Sequence, residues 1–553
     1  MFADARSVPA DSTVEADLCI VGAGPAGITL ARRFAGGPLR VVVLESGGLE
    51  VEPETQSLYD GPEDGLPYFP LQACRLRYFG GTTGHWGGTC RPLEPADFEP
   101  RDGVPQSGWP IRRADLDPYY PEAQRLVGVG DMDWSTEPWA DGSRFGPFDL
   151  DGKVETRVGR LVRKKDRRWG TLYREDIARA RNVRAILHAN VTELETDEAG
   201  GRVQRARVAT LHGKRFSVEA RWFVLATGGI ENARVLLLSD RRHPGGLGNQ
   251  HGLVGRYFTE HPRFKGAVLV PSSSTLDGRF YTTHRVGDVD VEGYLALPPA
   301  RQRDEGLVDV QIGLRPVYQG RFEGIEDADD VKALEDDHDV KAVATDLMTW
   351  HRFTVPGAPL PVPYPEVVGK LAGSNAERKG LIPQVLGDIA AFAYTKFVGS
   401  APLRHLELVT RIASAPERDS RVTLVRDRDA LGLRKAKLTW ALNPIDRRSV
   451  VRSLELVGAA VGAAGLGRLQ ILVDEDDRKW PEDLAGGWHH MGTTRMSDDP
   501  AQGVVDRNLK VHGLANLYVA GSSVFPTPGS GTPTMTIVAL ALRLARHLEG
   551  VVA

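Results

Sequence analysis

Residues 16–34, ADLCIVGAGPAGITLARRF, constrain the fold more than any other stretch. An apolar run of strand length enters the turn Gly22-Ala23-Gly24-Pro25-Ala26-Gly27, and a helical pattern follows over 25–36. A second run rich in valine, residues 39–45 (LRVVVLE), completes a βαβ unit, so a parallel sheet is expected. The three glycines have separate geometric tasks. Gly22 makes the tight turn, Gly24 lets backbone approach a pyrophosphate, and Gly27 lets the helix lie close to the strand. The helix N-terminus adds free N–H groups and the positive end of its dipole. Glu45, followed by Ser46, closes the second strand, where a carboxylate can accept from ribose hydroxyls. A glycine-rich turn alone is weak evidence. With strand, helix and acidic residue all in place it points to a dinucleotide, without separating FAD from NAD.

At 553 residues the chain exceeds what one hydrophobic core holds, which is about 250–300 residues, so two lobes are expected. The net charge of −4 and the absence of basic runs argue against a nucleic-acid or anionic-membrane partner. Cys19, Cys74 and Cys90 are too few and too scattered for a disulfide framework, and no spacing resembles a metal site. The apolar stretches 456–466 and 535–545 are too short to span a bilayer. Residues 1–18 carry neither the basic nor the apolar region of a secretion signal. A cytoplasmic protein is expected.

Further along, strands are expected at VRAILHA, VTELET, VQRARVAT and WFVLAT within 183–226, with a helix over 229–239. A helix is also expected over 113–127. Strand-like runs such as VDVEGYLAL and LVDVQIGL mark a middle region of different character. It also holds an acidic segment, 323–339, read as a solvated face, and a proline-rich one, 355–365, read as a loop or linker. Strand character returns at NLYVA, 516–520, before a terminal helix.

Five stretches stand in one order: FGGTTGHWGGT at 79–89, VLATGGIENARVLL at 224–237, WHHMGTTRM at 488–496, NLYVAGSSVFPT at 516–527 and GTPTMTIVALALRLARHL at 531–548. Together with VGAGPAG they resemble the glucose–methanol–choline (GMC) flavin oxidoreductases. The GHWGG and VAGSSVFP forms look most like the bacterial pyranose oxidase and glycoside 3-oxidase branch. The resemblance is weakest over 263–480. It implies an α/β protein: an FAD-binding Rossmann-like domain of GMC/PHBH type, with a second α+β substrate domain built on an antiparallel sheet. On this reading 12–92, 183–262 and 484–553 form the discontinuous FAD domain. Residues 93–182 form a connecting or lid segment, and 263–483 the substrate domain.

The resemblance further implies FAD-dependent oxidation of an alcohol, a sugar or glycoside secondary hydroxyl by its branch. Hydride passes to flavin N5, a histidine takes the proton, and O₂ or another acceptor receives the electrons. Oxidation of a non-sugar alcohol and non-redox lyase chemistry on the same fold are the alternatives. The base is expected in an H-x-x-G-T pattern, which selects His489, with Gly492 and Thr493 following. His490 should point elsewhere if the segment is extended. The second catalytic position, usually Asn or His, falls on Thr532. Threonine exchanges hydrogen bonds but is no base near neutral pH. It either positions the substrate hydroxyl or caps the helix opened by Pro533.

For the cofactor, the resemblance adds Val191 near the adenine. Ala226, Gly228, Gly521 and Ser522 fall near the pyrophosphate and ribityl, and Pro533, Thr534 and Met535 near the flavin's pyrimidine carbonyl. His85 matches the position that carries a covalent flavin bond in fungal pyranose oxidases; hydrogen bonding to the flavin is the other reading. Trp86 would lie beneath the ring, and Gly87 and Gly88 would bring backbone close to N5. Trp350, His351 and Tyr394 lie in the divergent region, as pocket, core or surface residues.

Overall fold

The computed structural model describes residues 1–131, 133–140, 145–318, 403–477 and 479–552. The acidic and proline-rich segments lie outside these residues, as do Trp350, His351 and Tyr394.

The βαβ unit forms as its pattern dictates. Strand Thr13–Val21 passes through the glycine turn into helix Pro25–Phe34 and returns as strand Val41–Leu44, parallel to the first. The sheet extends in the order Phe2–Asp4, Val183–Leu187, Val41–Leu44, Thr13–Val21, Arg215–Leu225, Val203–Ala209, Asn190–Thr196. Its first five strands run parallel and the last two fold back antiparallel. Leu517–Val519 adds in parallel to Arg215–Leu225, so a C-terminal strand reaches the sheet beside the first one. Strands covered on both faces read as continuous apolar runs, which is why Val41–Leu44 and Leu517–Val519 are wholly buried.

The second sheet is antiparallel throughout. Its order is Gly467–Ile471, Arg263–Pro271, Leu403–Ile412, Val310–Tyr318, Val289–Ala296, Glu155–Leu161, Thr89–Cys90. Glu155–Leu161 comes from the segment read above as a connector. It pairs with Val289–Ala296 over seven residues, a partner too distant in sequence to infer from local pattern. The last strand, Thr89–Cys90, is the end of the GHWGGT stretch, so that loop runs from the first sheet straight to the edge of the second.

The expected helix over 113–127 is a 3₁₀ turn at Arg113–Asp115 and a helix at Tyr120–Val127. The terminal helix Pro533–Val552 buries Met535, Val538, Leu540, Leu542, Leu544 and Leu548. Among the described residues no helix is long and apolar enough to cross a membrane. The three cysteines are buried and free, and burial pushes the Cys90 thiol up to about 12, an inert state.

Candidate active site

The segment 259–263 runs antiparallel to 485–491, with Thr259 bridged to Met491 and Arg263 to Ala485. Glu260 to Pro262 therefore face the longer run Gly486 to His490. The excess is absorbed in a turn whose Trp488 sits at φ 60°, a region bulky side chains avoid. Glu260 holds this turn. One carboxylate oxygen accepts from the backbone N–H of His261 (2.8 Å) and Gly487 (2.9 Å). The other accepts from the His489 N–H (2.9 Å) and the Tyr68 hydroxyl (2.5 Å). Four donors fill the roughly four lone-pair sites of a carboxylate. Burial pushes the Glu260 carboxyl up, against the pull of those donors. In Glu260→Gln an amide NH₂ meets donors where an acceptor stood. Leaving two buried donors unmet costs about 2–6 kcal/mol, so the variant should unfold at clearly lower denaturant or temperature. An unchanged midpoint would remove Glu260 from this role.

The turn sends the paired imidazoles apart, by the left-handed Trp488 rather than by the extended backbone expected from sequence. His489 Nδ1 lies 2.8 Å from His261 Nδ1, with the rings nearly perpendicular at 87°. His261 Nε2 lies 2.8 Å from the Gly529 carbonyl. His490 instead enters a nest of Tyr68 and Phe258, at ring-centroid distances of 6.0 and 5.9 Å. Its Nε2 is buried and has no hydrogen-bond partner among the described residues, while its carbonyl accepts from the Ser522 hydroxyl at 2.7 Å. Gly492, at φ 86°, is fixed by space as well as conformation, since a Cβ there would sit 2.1 Å from the Tyr257 carbonyl.

Burial lowers all three histidines. His261 and His490 fall to about 3. His489 falls well below 6.5, mainly by burial, then through His261, Arg411, Arg263 and His490. All three are neutral around pH 7, the state a proton acceptor needs.

The loop 529–532 closes the site from the other side. Besides the Gly529 carbonyl on His261, Ser530 donates through its N–H and hydroxyl to Asp97 (3.3 and 3.2 Å), and its carbonyl accepts from Gln311. Gln311 in turn accepts from Arg411. The Thr532 hydroxyl donates to the Thr89 carbonyl at 2.6 Å, so its one proton is spent and only its lone pairs remain to offer. Thr89 donates weakly to Glu292 on the second sheet (3.4 Å).

The residues assigned from sequence to FAD fit that cofactor. Gly22 and Gly27 are filled by protein: a Cβ would lie 2.5 Å from the Ala226 carbonyl oxygen and 2.0 Å from that of Gly22. A Cβ on Gly24, Gly228 or Gly521 would meet nothing within 4 Å. That is a cradle of bare backbone at the head of helix Pro25–Phe34, suited to a pyrophosphate. The Glu45 carboxylate accepts from Ala23 N (2.8 Å) and Gly47 N (3.0 Å), which fixes it at the strand end with lone pairs to spare for ribose. Ser46 bonds Asn190 and accepts from Arg77 (2.6 Å). Val191 pairs with Val208 at the sheet's far edge. His85 is buried against Trp488 (4.7 Å between rings), so the GHWGGT stretch touches the His489 turn. Trp86 is half-buried beside it and Gly87 is exposed. Gly88, at φ 87°, packs its bare Cα side against Arg167, whose Nε would lie 2.5 Å from a Cβ there.

Sequence reasoning missed Glu260, His261, Gln311, Glu292 and Arg411. Only His261-Pro262 left a trace, since a residue before proline is held extended.

The family model described as GMC oxidoreductase matches residues 416–541. The 2-methyl-1,2-propanediol dehydrogenase of Mycolicibacterium austroafricanum is 24% identical over 97% of this chain and 96% of its own. The paromamine 6'-oxidase of Streptomyces fradiae is 25% identical, with 97% and 91% covered. A C-glycoside 3-oxidase of Microbacterium trichothecenolyticum is 25% identical, with 92% and 82% covered. The solved pyridoxine 4-oxidase structure superposes with a TM-score of 0.52 at 17% identity, covering 97% of this chain and 99% of that one. The fold is that of the solved pyridoxine 4-oxidase. Over residues 416–541 the chain is thus similar to the GMC oxidoreductases, and this similarity points to FAD as its cofactor.

Proposed function

We propose that this enzyme oxidises a secondary hydroxyl of a sugar or glycoside, with His489 as the base that takes the hydroxyl proton. The observation that carries it is the hydrogen-bonded series His489, His261 and Gly529, on a loop whose Ser530 binds Gln311, itself bonded to Arg411, and whose Thr532 binds Thr89, itself bonded to Glu292. A wall so rich in donors and acceptors suits a substrate with several hydroxyls. The relatives named for paromamine and C-glycosides support the same class.

FAD, when bound, supplies the two-electron acceptor for the hydride that leaves the carbinol carbon. Gly22, Gly24, Gly27, Glu45, Ser46, Val191, Ala226, Gly228, Gly521 and Ser522 would hold its dinucleotide portion. His85, Trp86, Gly87 and the helix start Pro533, Thr534 and Met535 would border the flavin. The chain's own step is proton removal. A neutral His489 takes the proton as alkoxide character develops, and Thr532 accepts from a neighbouring substrate hydroxyl. His490 supports the turn through its backbone.

Since His489 is held well below 6.5, it is already unprotonated at neutral pH and is lost as a base only as pH falls through that lowered value. The anaerobic flavin-reduction rate is expected to stay level from alkaline pH down through 6.5. An acid limb above 6.5 would contradict the assignment.

The diol dehydrogenase relative favours a second reading, a small non-sugar alcohol. Turnover with an artificial acceptor separates the two. Free sugars and glycosides should be converted to ketones two hydrogens lighter. Conversion of small diols alone would establish the second reading.

A further inference from the structure

We infer that His261 is a positioning residue that fixes the tautomer of His489 and does so as an uncharged acceptor. The inference rests on the reading of His489 as base. Its starting point is the Gly529 carbonyl, which can only accept. At 2.8 Å from that oxygen, His261 Nε2 must carry the hydrogen. A bare Nε2 there would set one lone pair against another. A neutral His261 then has a bare Nδ1, and this nitrogen faces His489 Nδ1 at 2.8 Å. The contact is a hydrogen bond only if His489 Nδ1 is the donor. His489 Nε2 is thereby left bare, and it is the nitrogen that takes the substrate proton.

Doubly protonated His261 is the one alternative, and the surroundings oppose it. The ring is 1% exposed, and burial together with the Arg411 guanidinium, which also bears on His489, outweighs the weaker opposite pull of the Asp309 carboxylate. The device also links the two motifs of the site. His261 is held by the loop that carries Thr532, and Glu260 beside it holds the backbone of His489. A carboxylate in place of His261 would also select the Nδ1–H tautomer, but it would draw the His489 pKa upward. A neutral imidazole selects the tautomer and leaves His489 a free base at neutral pH.

The test reads nitrogens rather than turnover. In FAD-loaded enzyme labelled with ¹⁵N in the histidine rings, long-range ¹H–¹⁵N correlation distinguishes protonated from bare ring nitrogens. Signals are assigned by their loss in His489→Gln and His261→Gln. The expected result is a bare Nε2 with protonated Nδ1 for His489, and the reverse pattern for His261. In His261→Ala, His489 should lose its single pattern and show Nε2–H; His261→Asn, whose side-chain oxygen can accept, should restore Nδ1–H. If His261→Ala does not fold, the wild-type pattern alone decides. His489 with Nε2 protonated in the wild type, or an unchanged His489 pattern in His261→Ala, would overturn the inference. No substrate is present, so this outcome is independent of whether His489 is the base, which flavin reduction in His489→Ala decides.

Discussion

His489→Ala should purify as a yellow protein whose flavin is reduced by substrate about 10²–10⁴-fold more slowly than in the wild type. That factor corresponds to about 3–5 kcal/mol of barrier. The flavin should remain because the ring of His489 belongs to the turn beside His261, while the glycines that would cradle the dinucleotide lie on the first sheet and its helices. The loss should appear in the reduction step itself, since the removed group is needed only as the hydroxyl loses its proton. His490→Ala should be milder. Its ring packs on Tyr68 and Phe258, and its carbonyl, which any residue retains, accepts from Ser522. If His490→Ala proves the more damaging of the two, the base has been assigned to the wrong imidazole.

The second large effect concerns the glycine turn. In Gly27→Ala a methyl group would sit 2.0 Å from the Gly22 carbonyl oxygen, so helix Pro25–Phe34 must move off its strand. The variant should be recovered colourless, unstable or not at all. Gly24→Ala adds the same methyl where no protein atom lies within 4 Å. Its apoprotein should therefore melt like the wild type yet bind FAD far more weakly, because the methyl stands where backbone must approach the pyrophosphate. Flavin content by absorbance and thermal melting of the apoproteins separate the two cases. Full flavin retention in Gly24→Ala would remove this turn from the cofactor site.

These contrasts follow from what was legible in the sequence. The glycine turn and its flanking strands could be read because their signals are local: spacing of glycines, a run of valines, a helix start at a proline. The strands of 183–225, the helix Gly228–Leu238 and the terminal helix were legible for the same reason. The second sheet was not, because its order depends on partners far apart in the chain, such as Glu155–Leu161 beside Val289–Ala296. At the site, the H-x-x-G-T pattern selects His489 as the candidate base, but its neighbours come from elsewhere. Glu260 and His261 reach it only through the bridges Thr259–Met491 and Arg263–Ala485. Trp488 in the left-handed region is a tertiary demand, fixed by a carboxylate that no local rule could have named.

Anaerobic mixing of the purified FAD enzyme with free sugars, glycosides and small alcohols, followed by flavin absorbance, tests the account most directly. The account predicts that sugars or glycosides bleach the flavin in the wild type within the mixing experiment, and that the same compounds bleach His489→Ala far more slowly. A flavin that stays oxidised with every alcohol, or one bleached equally fast in both proteins, would contradict it.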